Sequence, residues 1–451
     1  MPAKNIYVKI GGNSKKITNI YTVVNGAKKK ITKGYVVVNG AKKQFYPEDA
    51  PQPTFTFKYL KAAGPSNIQY DGPQALNSPV AVTVDNVSSG NTVYKNRNAY
   101  LYGDLDDTIA KKVYKITYSG AIIEINTSYA YTNSYAGAYA YDVQDNSGLV
   151  IFGNASGNLF GINPSTDSVS NLGSIFAFDC AASSRIYKTT YQGNIYYDEV
   201  AYFFSLNDTA VRKVDGRGSI SVVSSLSTST TNRKALGFNF QTTSNLDHYG
   251  ILITGGDNTS AVEAYNISGT KISSIAQLPY NTSDHALANL GCYILVAGGY
   301  QGNSISSSVY AYDGRYYTRS TQTSLWKARA GLKGGSIGND WNGHIGNDYT
   351  SFPNNAIFGG GYISGGTATN AVDRYVLRAN GSGSNDFYIS KVSIGDFATA
   401  RKNHVAFNVT SNDTTPIDKL VFAFGSVGDG GGEAYTSAAN STYFVTETIN
   451  T

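Results

Sequence analysis

Short apolar runs that end in small residues recur along most of the chain. Such runs, bounded by Gly, Asn and Ser, are typical of β-strands. Their starts lie about 40 to 65 residues apart. In chain order they are NAYLYGD from Asn98, GLVIFGN from Gly148, EVAYFFS from Glu199, YGILITGGD from Tyr249, CYILVAGGY from Cys292, NNAIFGGGY from Asn354 and KLVFAFGSV from Lys419.

A second strand that carries an aromatic residue follows three of these runs. These strands are SAVEAYN from Ser260, SSVYAYD from Ser307 and NAVDRYV from Asn370. A third strand and a polar turn come next, and the cycle then begins again. A small antiparallel sheet cannot bury both of its faces alone, so such repeats pack radially against one another. The seven starts therefore predict an all-β propeller of seven blades.

The N-terminal region has a different and shorter repeat. Lys16–Lys29 (KITNIYTVVNGAKK) and Lys30–Lys43 (KITKGYVVVNGAKK) are identical at eleven of fourteen positions. In each copy Asn-Gly separates two strand-like runs, which predicts a β-hairpin with a type I′ turn. A third copy, with Gly-Gly in place of Asn-Gly, precedes them at Tyr7–Gly12. Because an isolated hairpin is marginally stable in water, the repeats must pair with neighbours, other copies or a partner.

These patterns predict the domain boundaries. Residues 1–46 are a basic tandem hairpin module that anchors the protein, residues 47–53 a stiff Pro-rich linker and residues 54–451 the propeller. We expect the segment Thr54–Asn86 to supply the outer strand or strands of the final blade, so that N- and C-terminal strands close the ring. The predicted anchor residues are Tyr21, Asn25, Gly26, Tyr35, Asn39 and Gly40.

The composition agrees with an all-β chain, and its charge is unevenly distributed. Gly (48) and Tyr (36) are abundant among the 451 residues, and charged residues are only 15%. Ten lysines and no acidic residue precede Glu48, whereas the whole chain has a net charge of +5, so the remainder has a net charge of −5. No apolar run is long enough to predict a membrane span, and the N-terminus lacks the apolar core of a secretory signal.

The clearest repeat, LPYNTSDHALANLGCYILVAGG from Leu278 to Gly299, resembles the kelch repeat of β-propellers. A kelch repeat has an apolar strand, Gly-Gly, a Tyr-bearing strand and then an Arg- or His-containing stretch. The resemblance covers about residues 250–440 well and about residues 98–248 weakly. It implies a seven-bladed kelch-like β-propeller behind a small β-hairpin repeat module. Gly-Gly occurs at Gly255-Gly256, Gly298-Gly299 and Gly359-Gly360, with a partial form at Gly425-Ser426.

The histidines do not have the spacing of a metal or catalytic site. The four are His248, His285, His344 and His404, and no two have a metal-ligand spacing. His285 and His404 share one register of the repeat, three residues after Thr282 and Arg401, and we assign Arg233/Leu236 and Arg329/Leu332 to the same register. Recurrence at one blade position predicts a structural role, in which these side chains satisfy backbone groups between blades.

Signatures of enzymes and cofactors are absent as well. The sequence has no sialidase-type Asp box, no Gly-x-Ser-x-Gly elbow and no phosphate-binding loop. The acidic clusters Asp104–Asp107 and Asp429 with Glu433 lack the spacing of a calcium loop and are interpreted as solvated turns. Cys180 and Cys292 are interpreted as small buried apolar residues. We therefore predict no enzymatic activity, no cofactor and no metal.

One insertion carries candidate ligand-binding residues. Gly334–Asn355 is assigned to the fifth unit and repeats Gly-Asn-Asp around one of the two tryptophans. An aromatic ring stacks on the face of a sugar, while amides and carboxylates bind its hydroxyls. The alternative is that the insertion packs against the propeller. The predicted ligand-binding residues are Trp341, Asn342, His344, Asp348 and Tyr349.

The tandem YxVVNGAKK hairpins resemble short N-terminal modules of tailed-phage virion proteins, in which such repeats precede a larger variable domain. The resemblance implies a virion appendage protein, assembled in the host cytoplasm and displayed on the particle surface. Residues 1–46 would contact other virion proteins, and the chain would form a homo-oligomer. Its propeller would bind a glycan or protein of the host surface, which a surface rich in Tyr, Ser, Gly and Asn suits.

Three other functions are considered. The chain would be a capsid or neck decoration protein without receptor binding, or a carbohydrate-acting propeller enzyme. Nucleic-acid binding through the ten lysines is disfavoured, because they flank Asn-Gly turns within strands and no arginine or base-stacking pattern accompanies them. Lysine also protects exposed strand edges from association.

Overall fold

The computed structural model divides the chain into two compact parts, residues 1–53 and 54–451. In the described residues the secondary structure is β-strand, as predicted, apart from one 3-10 turn at Ser364–Gly366. None of the described helices is long and apolar enough to cross a membrane. The described residues are 6–10, 13–17, 21–24, 27–30, 34–38, 41–46, 55–56, 80–84, 87–88, 91–92, 98–102, 112–118, 122–128, 135–142, 144–154, 156–191, 194–206, 208–238, 250–266, 269–272, 274–314, 316–339, 353–379, 387–392, 394–397, 400–410, 418–423, 432–437 and 444–450.

The described strands of the N-terminal part form three antiparallel hairpins, each a separate two-stranded sheet. In each hairpin two residues separate the paired strands. These two residues are Gly-Gly in the first copy and Asn-Gly in the other two. The three hairpins predicted from the repeats are therefore confirmed. Their strands are β1 (Ile6–Ile10), β2 (Asn13–Ile17), β3 (Tyr21–Val24), β4 (Ala27–Lys30), β5 (Gly34–Val38) and β6 (Ala41–Tyr46).

The larger part begins with β7 (Phe55–Thr56) and continues as four-stranded antiparallel units. Pairing of Tyr141 with Glu199 joins the second and third of these units into one eight-stranded sheet. The first unit has β8 (Val80–Thr83), β11 (Ala99–Tyr102), β12 (Lys112–Ile116) and β13 (Ile122–Asn126), with a small hairpin of β9 (Val87–Ser88) and β10 (Asn91–Thr92) between its first two strands. The second has β14 (Tyr135–Asp142), β15 (Ser147–Asn154), β16 (Asn158–Ile162) and β17 (Val169–Ser174). The third has β18 (Phe178–Tyr191), β19 (Asn194–Ser205), β20 (Val211–Val214) and β21 (Ile220–Val223).

Four further units follow in the same pattern. The fourth has β22 (Lys234–Phe238), β23 (Gly250–Thr254), β24 (Val262–Asn266) and β25 (Lys271–Ile272). The fifth has β27 (Ala286–Leu290), β28 (Tyr293–Ala297), β31 (Val309–Asp313) and β32 (Arg319–Gln322), and a small sheet of β26 (Thr282–Ser283), β29 (Tyr300–Gln301) and β30 (Ser304–Ile305) accompanies it. The sixth has β33 (Lys333–Asn339), β34 (Pro353–Gly359), β35 (Val372–Ala379) and β36 (Phe387–Val392). The seventh has β37 (Val405–Thr410), β38 (Asp418–Ala423), β39 (Gly432–Ser437) and β40 (Phe444–Asn450).

The first strand of each unit, its inner strand, contacts the inner strand of the next unit. The inner strand of the last unit, β37, in turn contacts β8 of the first. At this junction the Asn408 backbone N–H donates to Thr83 Oγ1 at 3.1 Å. The described units therefore close into the ring of a β-propeller, and we call them blades. Their number agrees with the seven predicted from the apolar runs, each of which is the second strand of a blade.

One position of the inner strands connects several blades through hydrogen bonds. It is the fourth residue of the strand, where Asn289 Nδ2 donates to the Gly237 carbonyl at 3.0 Å and Ser336 Oγ to the Asn289 carbonyl at 2.6 Å. Asn408 Nδ2 donates in turn to the Ser336 carbonyl at 3.0 Å. Gly237 itself lies so close to the third blade that an added Cβ would be 1.9 Å from the Ser183 oxygen. Glycine is required there by the close approach of two backbones.

Apolar side chains fill the junctions between neighbouring blades. Leu101 of the first blade packs with Phe407 of the seventh, and Leu295 of the fifth packs with Phe358 of the sixth. Several tyrosines belong to this core, contrary to the expectation of a tyrosine-rich surface; Tyr265 and Tyr375, for example, are at most 1% exposed. Their hydroxyls reach the preceding blade and donate to the backbone carbonyls of Ser224 and Thr323. The tyrosine rings are therefore buried while their hydroxyl groups keep a hydrogen-bond partner.

The prediction for the segment Thr54–Asn86 is confirmed for strand β7 and wrong for strand β8. Strand β7 pairs with β40 at the outer edge of the seventh blade, in parallel orientation. Strand β8, in contrast, is the inner strand of the first blade and pairs with β11. The four antiparallel strands of the final blade all come from the C-terminal end of the chain. Strand β40 is the outermost of these four, and β7 is added outside it.

A pair of left-handed glycines follows the second strand in three blades. The backbone N–H of the second glycine donates to a carbonyl of the segment that leads into the next blade. A Cβ at Gly361 would lie 2.5 Å from the Ala330 oxygen, so the close approach requires glycine. The pair in the sixth blade is one residue later than predicted, since Gly359 is still in β34. The three bonds are Gly256 to Thr282 (2.9 Å), Gly299 to Arg329 (2.9 Å) and Gly361 to Arg401 (2.8 Å).

Candidate functional site

The predicted ligand-binding residues Trp341, Asn342, His344, Asp348 and Tyr349 lie outside the described residues. The insertion that carries them joins β33 to β34 and so belongs to the sixth blade, not to the fifth. Of the predicted anchor residues, Tyr21 begins β3 and Tyr35 lies in β5. Asn25, Gly26, Asn39 and Gly40 lie outside the described residues. In the part of the chain that the structure describes, no group of three His, Cys, Asp or Glu side chains is arranged to hold a metal ion.

The propeller has two faces, which differ in the loops they carry. We call the face where the inner strands begin the starting face, and the opposite one the far face. Strands of a blade alternate in direction. The loops between second and third strands, and the segments that lead from one blade to the next, therefore lie on the starting face.

The residue just before an inner strand connects neighbouring blades, and we call it the latch position. Arg233, His285, Leu332 and His404 occupy it in the fourth to seventh blades. Three of them bond to the last residue of the second strand of the preceding blade. The Arg233 guanidinium donates to the Ser205 carbonyl, His285 Nε2 lies 2.7 Å from Thr254 Oγ1, and His404 Nε2 donates to the Gly359 carbonyl at 3.1 Å.

The predicted structural role of His285 and His404 between blades is therefore confirmed, but only His404 bonds to a backbone group, since the partner of His285 is the Thr254 hydroxyl. They are 1% and 0% exposed, and burial lowers the pKa of each imidazole to about 3. Both rings are thus neutral at physiological pH. The predicted register of Arg233 was wrong by three residues: it corresponds to His285 and not to Thr282, because β22 begins directly after it.

One residue before the latch position, the backbone is left-handed in all four of these blades. Residues that tolerate positive φ, namely Asn, Asp and Gly, occupy the position. Because they lie where inner strands begin, they surround the centre of the starting face. The residues and their φ angles are Asn232 (58°), Asp284 (50°), Gly331 (62°) and Asn403 (56°).

Asp284, Tyr362 and Tyr300 contact one another in that order at this centre. Tyr362 Oη donates to Asp284 Oδ2 at 2.7 Å, and the rings of Tyr300 and Tyr362 have centroids 6.3 Å apart. The Tyr362 ring lies against Gly331, where an added Cβ would be 2.6 Å from it. Burial, followed by the hydrogen bond to Asp284, raises the pKa of Tyr362 above its ordinary value. Tyr362 therefore stays a neutral hydrogen-bond donor.

Two lysines are electrostatically coupled to this group. Lys234 is the first residue of β22 and Lys333 the first residue of β33. Burial and then the Lys234 ammonium lower the pKa of Lys333 to about 8, while Asp284 acts in the opposite direction. The group formed by Lys234, Asp284, Tyr300, Lys333 and Tyr362 is called the central cluster below. It offers ammonium and phenol donors together with the Asp284 carboxylate as acceptor, which suits a ligand rich in hydroxyl and other polar groups.

Exposed aromatic side chains lie on both faces, and sequence reasoning did not select them. On the starting face, Tyr280 is 59% and Trp326 is 76% exposed. On the far face, Tyr316 of the turn between β31 and β32 is 68% exposed. Trp326 is one of two tryptophans and lies in a segment between blades. That rarity was the available signal, but the Gly-Asn-Asp repeats around Trp341 drew the prediction to the other one.

Comparison with known proteins supports the kelch resemblance in one repeat. The Kelch motif family matches residues 281–313, which include β28 and β31 of the fifth blade. The solved structure of YjhT is similar at 11% identity and a TM-score of 0.41, and the similarity covers 84% of this chain and 100% of that one. A comparison with curated proteins finds no match. The closed ring of blades, together with the Kelch motif, supports a kelch-like β-propeller.

Proposed function

We propose that this chain is an appendage protein of a tailed-phage virion, attached through its hairpins and recognising a glycan or protein of the host surface through its propeller. The recognition role is supported by the composition of the starting face. Its central cluster groups carboxylate, phenol and ammonium groups, and Tyr280 and Trp326 are exposed on the same face. Polar groups and exposed aromatic rings on one face are typical of recognition surfaces.

The N-terminal hairpins support the anchoring role. Each described hairpin is a sheet of two strands, and such a sheet is marginally stable alone in water. Pairing with other virion proteins, or with the same module in further copies of the chain, would provide the missing neighbours. The ten lysines of residues 1–47 would favour an acidic partner surface. The propeller closes its own ring and does not require this pairing.

Two measurements on the full-length protein test the proposal. Antibodies against the chain, detected by electron microscopy of purified phage particles, should label one defined structure on the virion. The purified protein should also bind intact host cells, in competition with the phage. Labelling without cell binding would favour a decoration protein, and the absence of both labelling and cell binding would overturn the proposal. Release of soluble sugars from host polysaccharide would overturn the prediction that the chain has no enzymatic activity.

A further inference from the structure

Trp326 follows a buried residue that recurs between blades. Leu226, Leu278 and Leu325 each lie in the segment that leads into the next blade, and each is 4% exposed. Leucine at this place anchors the segment in the junction between blades. The residue after it leaves the core, and in the segment before the sixth blade that residue is Trp326, which is 76% exposed.

A buried carboxylate holds the backbone of Trp326. The Trp326 N–H donates to Asp373 Oδ1 at 2.8 Å, and Asp373 also forms ion pairs with Arg329 (2.7 Å) and Lys391 (2.6 Å). Arg329 and Asp373 are essentially inaccessible, at 0% and 1% side-chain exposure. The position of the tryptophan is therefore fixed by a network inside the protein.

The segment before the fourth blade has the same arrangement with a different side chain. Ser227 follows Leu226, and its N–H donates to both carboxylate oxygens of Glu263 at 3.0 and 2.9 Å. Glu263 forms an ion pair with Lys271, as Asp373 does with Lys391. The backbone arrangement is thus built without a large side chain at this position. The fold does not require the tryptophan, whose ring is left in solvent.

The exposed residues that flank Trp326 in the chain are polar or small. Ser324 and Lys327 are exposed beside it, and in the described segment 318–332 it is the sole large apolar side chain that is exposed. A protein partner favours an aromatic residue set within a larger desolvated patch. A sugar instead needs one aromatic ring against its apolar face and hydroxyl or ammonium groups for its hydroxyls. The surroundings therefore favour a saccharide.

We propose that Trp326 is the stacking platform of a carbohydrate-binding site on the starting face, with Ser324 and Lys327 beside it as hydrogen-bonding groups. The inference rests on the proposed recognition function and names its ligand class and contact residue. The hydrogen bond to Asp373 holds the backbone before the ligand arrives, so less conformational freedom is lost on binding. The saccharide is a component of the surface that the propeller recognises.

The experiment uses the full-length protein and its Trp326→Ser variant. Serine is the residue that the fourth blade tolerates at this place, so the variant should keep the wild-type thermal midpoint. Tyr316→Ser, on the far face, is the matched control for loss of an exposed aromatic side chain. The probes are an array of purified bacterial surface polysaccharides and intact host cells. We expect Trp326→Ser to lose about 10- to 100-fold in affinity for the bound saccharide, as for an anchoring aromatic residue, and Tyr316→Ser to bind as wild type.

The outcomes separate this inference from the proposed function. If the wild type and Trp326→Ser bind cells and saccharide equally, Trp326 is not the platform, although recognition stands. If protease treatment of the cells abolishes binding and no polysaccharide is bound, the ligand is a protein and the inference fails. If the wild type binds neither cells nor polysaccharide and does not label particles, the proposed function itself fails.

Discussion

The fourth to seventh blades and the first three blades reach the same architecture with different interactions. In the later blades, paired glycines and the latch residues make a repeated set of hydrogen bonds between neighbours. Aromatic packing occurs in both sets, as between Tyr102 and Phe160 (centroids 5.1 Å apart) and between Phe358 and Tyr375 (6.1 Å), but the described earlier blades lack the glycine and latch bonds. Hydrogen-bonding positions demand particular residue types, whereas packing accepts many apolar combinations. The difference explains why the kelch pattern can be read in the later half and is weak in the earlier one.

The largest expected effect is on the buried ion pair of the later half. Arg329→Met leaves the Asp373 carboxylate buried beside Lys391 alone, and we expect a loss of about 3–5 kcal/mol in the free energy of unfolding. Arg217→Met is the counterpart in the earlier half. Its side chain is 48% exposed, and Asp142 still accepts hydrogen bonds from the backbone N–H groups of Gln144 and Asp145, so we expect a much smaller loss. Urea unfolding of both variants measures the difference, and equal losses would contradict the contrast.

The second effect is a dependence of stability on pH that originates in the later half. Burial lowers the pKa of His285 and His404 from the ordinary 6.5 to about 3 in the folded protein. Their contribution to stability is complete above about pH 6.5 and is lost as the pH falls toward 3, because the unfolded chain then binds protons that the folded chain does not. Each histidine contributes a slope of about 1.4 kcal/mol per pH unit in this range.

Leucine at the latch position provides the control. Leu332 already occupies it in the sixth blade, so the double variant His285→Leu, His404→Leu keeps an accepted residue at both sites. Unfolding at pH 7, 6 and 5 should show a shallower loss of stability in the variant than in the wild type. The same slope in both proteins would show that the histidines are not the groups responsible.

The smallest effect is expected for a partly buried ion pair of the earlier half. Lys115 Nζ lies 2.8 Å from Asp167 Oδ1, with side-chain exposures of 12% and 30%. Lys115→Met should lower the free energy of unfolding by about 0.2–1 kcal/mol, because the Asp167 carboxylate that remains is partly exposed to solvent and still accepts a hydrogen bond from Tyr100 Oη. A loss as large as that of Arg329→Met would show that both halves depend on charges to the same degree.

The chain positions of the second strands were predictable, whereas those of the inner strands were less so. A second strand such as β23 is buried throughout and reads as a continuous apolar run. An inner strand such as β33 (KGGSIGN) is rich in glycine and polar residues, since its neighbours are backbone and hydrogen-bonding groups of adjacent blades. No apolar period marks such a strand. Strand β8 (VAVT) is apolar and was recognised as a strand, but it was assigned to the wrong blade because its pairing partner, β11, cannot be read from the strand itself.

The candidate site was harder to predict from the sequence than the fold was. The residues of the central cluster come from segments as far apart as Lys234 and Tyr362, and no local motif links them. The register of Arg233 also depends on where β22 begins, which hairpin pairing decides. The predicted site around Trp341 stays a prediction.

The sequence by itself determined that this protein is built from two kinds of β-repeat, because strand and turn preferences are local properties of the chain. It also determined that the later repeats resemble kelch blades, because glycine and histidine recur where backbones approach or hydrogen bonds form. Only the tertiary structure decided which tyrosines enter the core, where the ring closes and that Trp326 is exposed. Those properties depend on the neighbouring blade, whose residues lie far away in the sequence.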